Sequence, residues 1–270
     1  MTAKLSEVLA ALERLAPLRY AEPWDNVGLL LEPVPMASAA PVESALLTIE
    51  LSDAVVSEAQ TLEATLIIAY HPPIFKGLKR LRVSDPTERF LLRCLAAGIS
   101  VYSPHTALDA APEGVNAWLL DAFGAGERRP CVPHPVDARY GAGRALSLAT
   151  PITLSEAVLR IKRQLGLTQL RVAASTEQAA GAPIRSIAAC AGAGGSVFEK
   201  LPHFDLFLTG EMRHHDVRER VLSGSSVVLS EHTHTERGFL AVLAERLAIE
   251  AAGSVHFHVS RCDRDPLSLV

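Results

Sequence analysis

The sequence predicts an α/β fold in which helices cover the faces of the sheets. Short apolar runs typical of strands alternate with amphipathic helical patterns along most of the chain. Hydrophobic residues make up 49% of the chain and charged residues 21%, a balance that excludes a disordered or low-complexity protein. At about 150 residues per domain, the 270 residues correspond to two domains or to one large α/β domain.

The predicted elements follow in order along the chain. An amphipathic helix is predicted over 5–15, where leucine and valine recur at three- and four-residue spacing. Strands are predicted over 45–51, 65–70, 98–104, 185–191, 205–210, 225–231 and 254–260. Helices are predicted over 53–62, 86–98 and 155–167, and a last amphipathic helix is predicted within 230–247.

A stretch rich in Gly, Pro and Arg, residues 124–150, separates two α/β-like blocks and marks the predicted domain boundary. We expect residues 1–125 and 226–270 to form an α/β domain that carries a metal site. Residues 126–225 then form a second α/β domain.

Charge and cysteine content restrict partners and compartment. The formal net charge of −4 argues against a nucleic-acid binder, which carries a basic excess. The four cysteines form no C-x-x-C pair, which favours a reducing cytoplasm over a disulfide framework. The first helix carries charges unlike a signal peptide, and no apolar run reaches the ~20 residues that span a bilayer. We expect a cytoplasmic protein without a membrane partner.

Histidines and carboxylates follow three of the predicted strands. His71 comes after the strand at 65–70, His105 and Asp109 after 98–104, and His232 and Glu236 after 225–231. In open α/β sheets this carboxyl edge is where ligands bind. An imidazole and a carboxylate four residues apart can point at one spot, and together they suit Zn, Mn, Fe or Co. The combination predicts a metal site.

Each of these residues also has a structural alternative. Thr233-x-x-Glu236 matches a capping box, and Asp109 can serve as a helix N-cap. His71 precedes two prolines that hold its backbone extended, so it can be a structural residue. The sequence leaves these alternatives open.

Two further stretches carry weaker signals. Residues 189–201 contain a Gly-rich turn at 192–195 between a strand and a helix, which can seat a phosphate but lacks the G-K-[ST] ending of a Walker A loop. A tight turn is the preferred interpretation. After the strand at 205–210 come Glu211, His214, His215 and Asp216, and adjacent helical histidines point about 100° apart.

Six motifs together resemble the Nif-three-like family, also called the GTP cyclohydrolase I type 2 family. They are WDNVGLLLE (24–32), IIAYHPPIFKGLKRL (67–81), VYSPHTALDAAPEGVNAWL (101–119), LTGEMRHHD (208–216), SEHTHTERGFL (230–240) and SRCDRDPL (260–267). They span nearly the whole chain in the family's order. The residues of these motifs resemble those of the short branch of the family, which has no inserted domain.

The resemblance implies two interlinked α/β domains with mixed sheets, a toroidal homohexamer and a dinuclear metal centre. Carried over by motif, the metal ligands are His71, Asp109, His232 and Glu236, with Glu236 bridging two ions. Family members often have a second histidine where this chain has Tyr70. A neutral phenol is a poor ligand, so this substitution weakens the second site or shifts its ligation toward His105.

Two functions of different classes follow. The first is a metal-dependent hydrolase that acts on a C–N bond of a small-molecule, nucleotide-like substrate such as GTP. His105 or His234 would carry protons in that reaction. The second is a non-catalytic, metal-binding oligomeric scaffold or regulatory interaction protein. Buried histidines and carboxylates are costly unless they are used, which favours the enzyme.

Overall fold

A computed structural model describes residues 3–34, 41–199 and 201–267 of the chain. The chain divides into two compact units, each discontinuous in sequence. Unit 1 comprises Met1–Leu108 and Phe239–Pro266, and unit 2 comprises Asp109–Gly238 and Leu267–Val270. The domain boundaries predicted above, which group 226–238 with the N-terminal block, stay a prediction. In the described ranges, no helix is long and apolar enough to cross a membrane.

Unit 1 is built on a mixed five-stranded sheet and a small two-stranded sheet among its described residues. Its strands are β1 (Ala3–Lys4), β2 (Gly28–Leu31), β3 (Pro41–Val42), β4 (Ser44–Thr48), β5 (Leu66–Ala69), β6 (Ser100–Ser103) and β13 (His256–Val259). The large sheet has the order β13-β4-β5-β6-β2, in which β2 alone is antiparallel to its neighbour. Every residue of β4, β5 and β6 is buried, as in a parallel sheet covered on both faces.

Two of the helices described in unit 1 begin with a side-chain N-cap. The helices of this unit are α1 (Leu5–Leu15), α2 (Asp53–Thr61), α3 (Pro86–Ala96) and α11 (Phe239–Glu250), with a 3-10 turn at Leu18–Tyr20. The Ser52 hydroxyl accepts from the Val55 N–H at the start of α2, and Asp85 accepts from the Glu88 N–H at the start of α3. The division between the units falls within α4 (His105–Ala110).

Unit 2 contains a mixed six-stranded sheet. Its strands are β7 (Gly126–Pro133), β8 (Gly141–Ile152), β9 (Arg171–Ala173), β10 (Ile184–Cys190), β11 (Leu206–Thr209) and β12 (Ser226–Leu229). In the order β7-β8-β10-β11-β12-β9, the three strands β10, β11 and β12 are parallel and the others pair antiparallel. Its helices are α5 (Val115–Asp121), α6 (Leu154–Leu165), α7 (Thr176–Ala179), α8 (Gly195–Phe198), α9 (His214–Leu222) and α10 (His234–Arg237).

The α/β class is confirmed, and the ends of each predicted strand lie within three residues of the ends of an observed strand. The boundary stretch differs, because 124–150 contains β7 and β8 rather than a turn-rich connection. Its glycines serve close strand contacts: a Cβ on Gly126 would lie 2.2 Å from Ser147 O, and one on Gly141 would lie 2.1 Å from Val132 O. The glycines of this stretch suggested turns, but in the structure they allow neighbouring strands to pack closely.

The last predicted helix is divided in the structure. It forms α10 and α11, which are separated at Gly238, and His232 precedes both helices. A Cβ on Gly238 would lie 2.7 Å from the Trp118 ring. Glycine is therefore needed there for packing, although it weakens a helix interior.

Candidate metal centre

The segments that follow β10, β11 and β12 meet at the carboxyl edge of the parallel strands in unit 2. The Gly192 N–H donates to Thr235 Oγ1 at 2.8 Å, which joins the segment after β10 to α10. The Glu211 N–H donates to Gly192 O at 3.0 Å. The Glu231 N–H donates to Gly210 O at 3.1 Å. These bonds fix the edge at which open α/β sheets bind ligands.

His232 and Glu236 lie together at this edge. His232 Nε2 is 3.5 Å from Glu236 Oε1, and the carboxylate is only 3% exposed. This separation is longer than an ordinary N–H···O hydrogen bond. Two ligands of a tetrahedral ion lie about 3.4 Å apart when each is ~2.1 Å from the metal. The pair therefore has the chemistry and the spacing of two ligands of one divalent ion.

Gly192 makes room for this pair. Its φ of +61° lies in the left-handed region that favours glycine. A Cβ at this position would lie 2.8 Å from His232 Nε2 and 3.0 Å from Glu236 Oε1. Any side chain would therefore fill the space in front of the two ligand atoms. The Gly-rich turn is visible in the sequence, but its proximity to His232 is not.

Glu211 is a second acidic side chain beside His232. Its Oε1 lies 3.5 Å from His232 Nδ1, on the opposite side of the ring from Glu236. No role was assigned to it from the sequence. Its position directly after a buried strand is the signal that could have identified it, because the same rule identified His232.

The capping alternatives for Thr233 and Asp109 are not realised. The Thr233 side chain makes no capping hydrogen bond to α10. Asp109 lies within α4, and the N-cap of the following helix α5 is Gly114. Asn116 Nδ2 donates instead to the backbone carbonyl of Asp109 at 3.0 Å. The structure therefore assigns neither residue the capping role that the sequence left open.

Two histidines of unit 1 are each paired with a carboxylate. His71 Nδ1 lies 2.6 Å from Glu50 Oε1, and His105 Nδ1 lies 2.8 Å from Asp25 Oδ1. The two imidazole rings are 5.4 Å apart between centroids. The buried Tyr70 ring contacts both, at 5.4 Å from His71 and 6.0 Å from His105. Unit 1 therefore holds these rings in fixed orientations.

Neither Glu50 nor Asp25 was identified as a site residue from the sequence. Glu50 follows β4, and His71 was identified from the sequence because it follows a strand in the same way. Asp25 lies within the WDNVGLLLE motif, which carried the resemblance but no assigned chemistry. Their partners are 21 and 80 residues away in the chain, so only the tertiary structure reveals the pairs.

Three other histidines that the sequence analysis considered are His234, His214 and His215. His234 Nδ1 lies 2.8 Å from Ser230 O. A carbonyl oxygen can only accept, so the ring proton is on Nδ1 and Nε2 carries the lone pair. His214 and His215 open α9 with their rings 5.6 Å apart. Neither is among the residues that line a neighbouring cavity of about 660 Å³, whose lining includes Glu211 and Asp216.

The Gly-rich turn at 192–195 is a tight turn, as preferred from the sequence. The N–H groups of Gly192 and Gly194 donate to Thr235 Oγ1 and Thr209 Oγ1 at 2.8 and 2.9 Å. These donors are already used within the protein, and α8, which follows, has only four residues. The turn shapes the site around His232 instead of presenting its N–H groups to a phosphate.

The chain is similar to known proteins over nearly its whole length. The Duf34/NIF3 (NGG1p interacting factor 3) family model matches residues 3–266. The Schizosaccharomyces pombe protein NIF3 homolog is 40% identical and covers 99% of this chain and 98% of its own length. NIF3-like protein 1 of Drosophila melanogaster is 40% identical over 99% of this chain and 89% of its own length. The crystal structure of a Bacillus cereus protein related to NIF3 has the same fold, with a TM-score of 0.85, 19% identity and full coverage of both chains. The chain belongs to the Duf34/NIF3 family.

Proposed function

We propose that this protein is a metal-dependent hydrolase that cleaves a C–N bond of a nucleotide-like substrate at a dinuclear centre. The observation that carries the proposal is the site at His232, Glu236 and Gly192. A buried carboxylate lies at ligand spacing from an imidazole, and a glycine keeps the space before them open. Such a group is costly to bury unless it is used.

By the family resemblance, His71, Asp109, His232 and Glu236 would hold the metal. His71, His232 and Glu236 each offer one ligand atom of the type that Zn, Mn, Fe or Co binds. The contact between His71 Nδ1 and Glu50 supports a ligand role for His71. Metal-binding histidines commonly donate their second ring N–H to a carboxylate, which leaves the other nitrogen for the metal.

A divalent ion held there would lower the pKa of its bound water to about 7 and would polarise the attacked carbon. The residues of this chain then orient the substrate and move protons. His234 keeps its proton on Nδ1 by donating to Ser230 O, so its Nε2 can accept a proton. We propose that His105 serves in the same way. Because the neutral phenol of Tyr70 is a poor ligand, the second ion would bind more weakly than the first.

Metal content tests the ligand assignment. The protein is purified without chelator and its metal is measured by elemental analysis, beside a His232→Ala/Glu236→Ala double variant. We expect a divalent transition metal in the unmodified protein and none in the double variant. His214→Ala is the matched control, because His214 is a histidine of the same unit that lies outside the pair. Unchanged metal content in the double variant contradicts the assignment.

Turnover separates the enzyme from the alternative function. Metal-loaded protein is incubated with nucleotides, GTP first, and with phosphoesters, and the products are identified. Hydrolysis that is lost in the double variant supports the proposal. Bound metal without any product favours the alternative, a metal-binding scaffold that acts through protein contacts, in line with the family's description as an NGG1p interacting factor.

We also propose that the protein forms a closed homohexamer. This proposal rests on the family resemblance given above. Analytical ultracentrifugation at micromolar concentration tests it, and a monomer contradicts it. A hexamer is expected for both the enzyme and the scaffold, so the result does not depend on turnover.

A further inference from the structure

The carboxylate of Asp25 is completely enclosed in unit 1 and surrounded by donors. Its side chain is 0% exposed. Oδ1 accepts from its neighbour Asn26 N–H at 2.8 Å, and lies 2.8 Å from His105 Nδ1. Oδ2 accepts from the Thr106 N–H at 3.1 Å and also from the Thr106 hydroxyl. Both oxygens thus face backbone N–H groups, which can only donate.

This arrangement determines how the His105 ring is held. The backbone of His105 has a φ of +28°, which is rare for a residue with a side chain and is maintained only when its surroundings require it. The ring is also enclosed by aromatic neighbours, with Trp24 and Tyr70 at centroid distances of 6.1 and 6.0 Å. The imidazole therefore has one orientation, in which Nδ1 faces Asp25.

We propose that Asp25 is a positioning residue that keeps the proton of neutral His105 on Nδ1 and leaves Nε2 as a proton acceptor. An ionised carboxylate has no proton to donate, so the nitrogen that faces it must be the donor. A neutral imidazole carries one proton, and its second nitrogen then bears the lone pair. This inference rests on the proposed function, in which His105 accepts a proton, and it explains which nitrogen does so.

The ionised state of Asp25 is supported by its surroundings. Burial raises the pKa of Asp25, but hydrogen bonds from His105 and Thr106 outweigh burial, so the pKa lies below its ordinary value. Asp25 is thus acceptor-only at neutral pH. An asparagine at this position would replace one acceptor oxygen by an NH₂ group. In one orientation this NH₂ group would face the Thr106 N–H, which is also a donor, and in the other it would face His105 Nδ1. The preference for the Nδ1 proton would be lost, as in a catalytic triad whose aspartate is changed to asparagine.

Two variants test the proposal. Asp25→Asn keeps the shape of the side chain and removes its acceptor-only character. Thr106→Val is the matched control, because it removes a hydroxyl donor to Asp25 but leaves the contact with His105 in place. Circular dichroism first establishes that both variants are folded.

The solution readout is the reaction of His105 with diethyl pyrocarbonate, which attacks an unprotonated ring nitrogen and is followed by peptide mass spectrometry. We expect the rate at His105 to fall by about tenfold in Asp25→Asn, the size expected when a hydrogen bond to a charged acceptor is lost. The rate should be unchanged in Thr106→Val. An equal fall in both variants, or none in Asp25→Asn, would overturn the proposal.

Neutron diffraction from deuterium-exchanged crystals of metal-free, unmodified protein provides the second readout. Deuterium on Nδ1 of His105 and none on Nε2 is expected, and the reverse overturns the proposal even if Asp25→Asn fails to fold. Neither readout requires metal or turnover. Failure here therefore leaves the hydrolase proposal intact, and an inactive protein can still show the predicted proton position.

Discussion

The histidines of the two units are held in different ways. In unit 1, Glu50 and Asp25 contact the Nδ1 atoms of His71 and His105 at 2.6 and 2.8 Å, which is hydrogen-bond distance. In unit 2, His232 Nδ1 lies 3.5 Å from Glu211 Oε1, and His232 Nε2 lies 3.5 Å from Glu236 Oε1. That spacing is too long for a good hydrogen bond and suits two ligands of one cation.

The difference shows how a carboxylate near a histidine can have two purposes. At hydrogen-bond distance it orients the ring and selects its tautomer. At the longer distance it leaves room for a positive charge between the two groups. Gly192 maintains that room in unit 2, because a Cβ there would lie 2.8 Å from His232 Nε2.

The largest effect is expected from filling that room. Gly192→Ala should weaken metal affinity by about a hundredfold or more, because the added methyl group lies against both ligand atoms. Gly166→Ala is the matched control: its φ of +67° is similar, but a Cβ there has no neighbour within 4 Å. Both variants should lose about 1 kcal/mol of unfolding free energy from backbone strain. Equal metal affinity in the two variants would show that Gly192 is not needed to keep the metal site open.

Removing the carboxylate beside His71 is expected to have the next largest effect. Glu50→Ala should lower metal affinity by roughly 10- to 100-fold, the usual cost of losing a group that orients a metal-binding histidine. Competition with a chromophoric chelator measures this affinity. The exposed Glu43 lies in the same unit, and Glu43→Ala should have no effect. A matching loss in Glu43→Ala would mean that net charge, and not orientation, decides the affinity.

Variants of Tyr70 test whether its phenol weakens the binding of the second ion. Calorimetric titration of metal-free protein with Zn or Mn should show one tight and one weak site. Tyr70→His should strengthen the weak site by about tenfold, because an imidazole is a better ligand than a neutral phenol. Tyr70→Phe removes the hydroxyl without adding a ligand and should not strengthen it. Two equally tight sites in the unmodified protein would show that the second ion already has enough ligands.

The smallest effect concerns Glu58, a carboxylate of unit 1 whose donors include a hydroxyl and two backbone N–H groups. Glu58 accepts from the Ser260 hydroxyl and from the N–H groups of Arg261 and Cys262 at 2.8 and 3.4 Å. Burial raises the pKa of Glu58, but these hydrogen bonds outweigh burial and lower it overall. Its stabilisation is therefore complete above the unfolded pKa of about 4.3 and is lost as the pH falls through the lower folded pKa.

Glu58→Gln should cost about 1 kcal/mol of unfolding free energy at pH 7, and the difference should shrink as the pH falls below about 4. Urea unfolding of both proteins across this pH range measures the difference. The exposed Glu245 offers a control, since Glu245→Gln should change neither value. A difference that persists undiminished in acid would show that the lost contact does not depend on the carboxylate charge.

Much of the fold was predictable because the parallel strands are buried along their whole length. The apolar runs can be recognised in the sequence without knowing which strands pair with them. They form β4, β5, β10, β11 and β12. The pair His232 and Glu236 was predictable for a related reason, since four-residue spacing after a strand brings two side chains to one edge. The strands β7 and β8 were not predicted, because their glycines and prolines are typical of turns and only the neighbouring strands explain them.

The sequence by itself determined the α/β class, the family and the strand edges at which polar side chains gather. These follow from local patterns of apolar residues and from motifs that lie within one segment. Only the tertiary structure decided which carboxylate faces each histidine, because Asp25 and Glu50 are 80 and 21 residues from their partners. It also decided that Gly192 stands before His232. A contact between distant segments depends on packing that no local pattern records. The nitrogen–oxygen distances in the two hydrogen-bonded pairs and in the proposed ligand pair differ by less than one ångström.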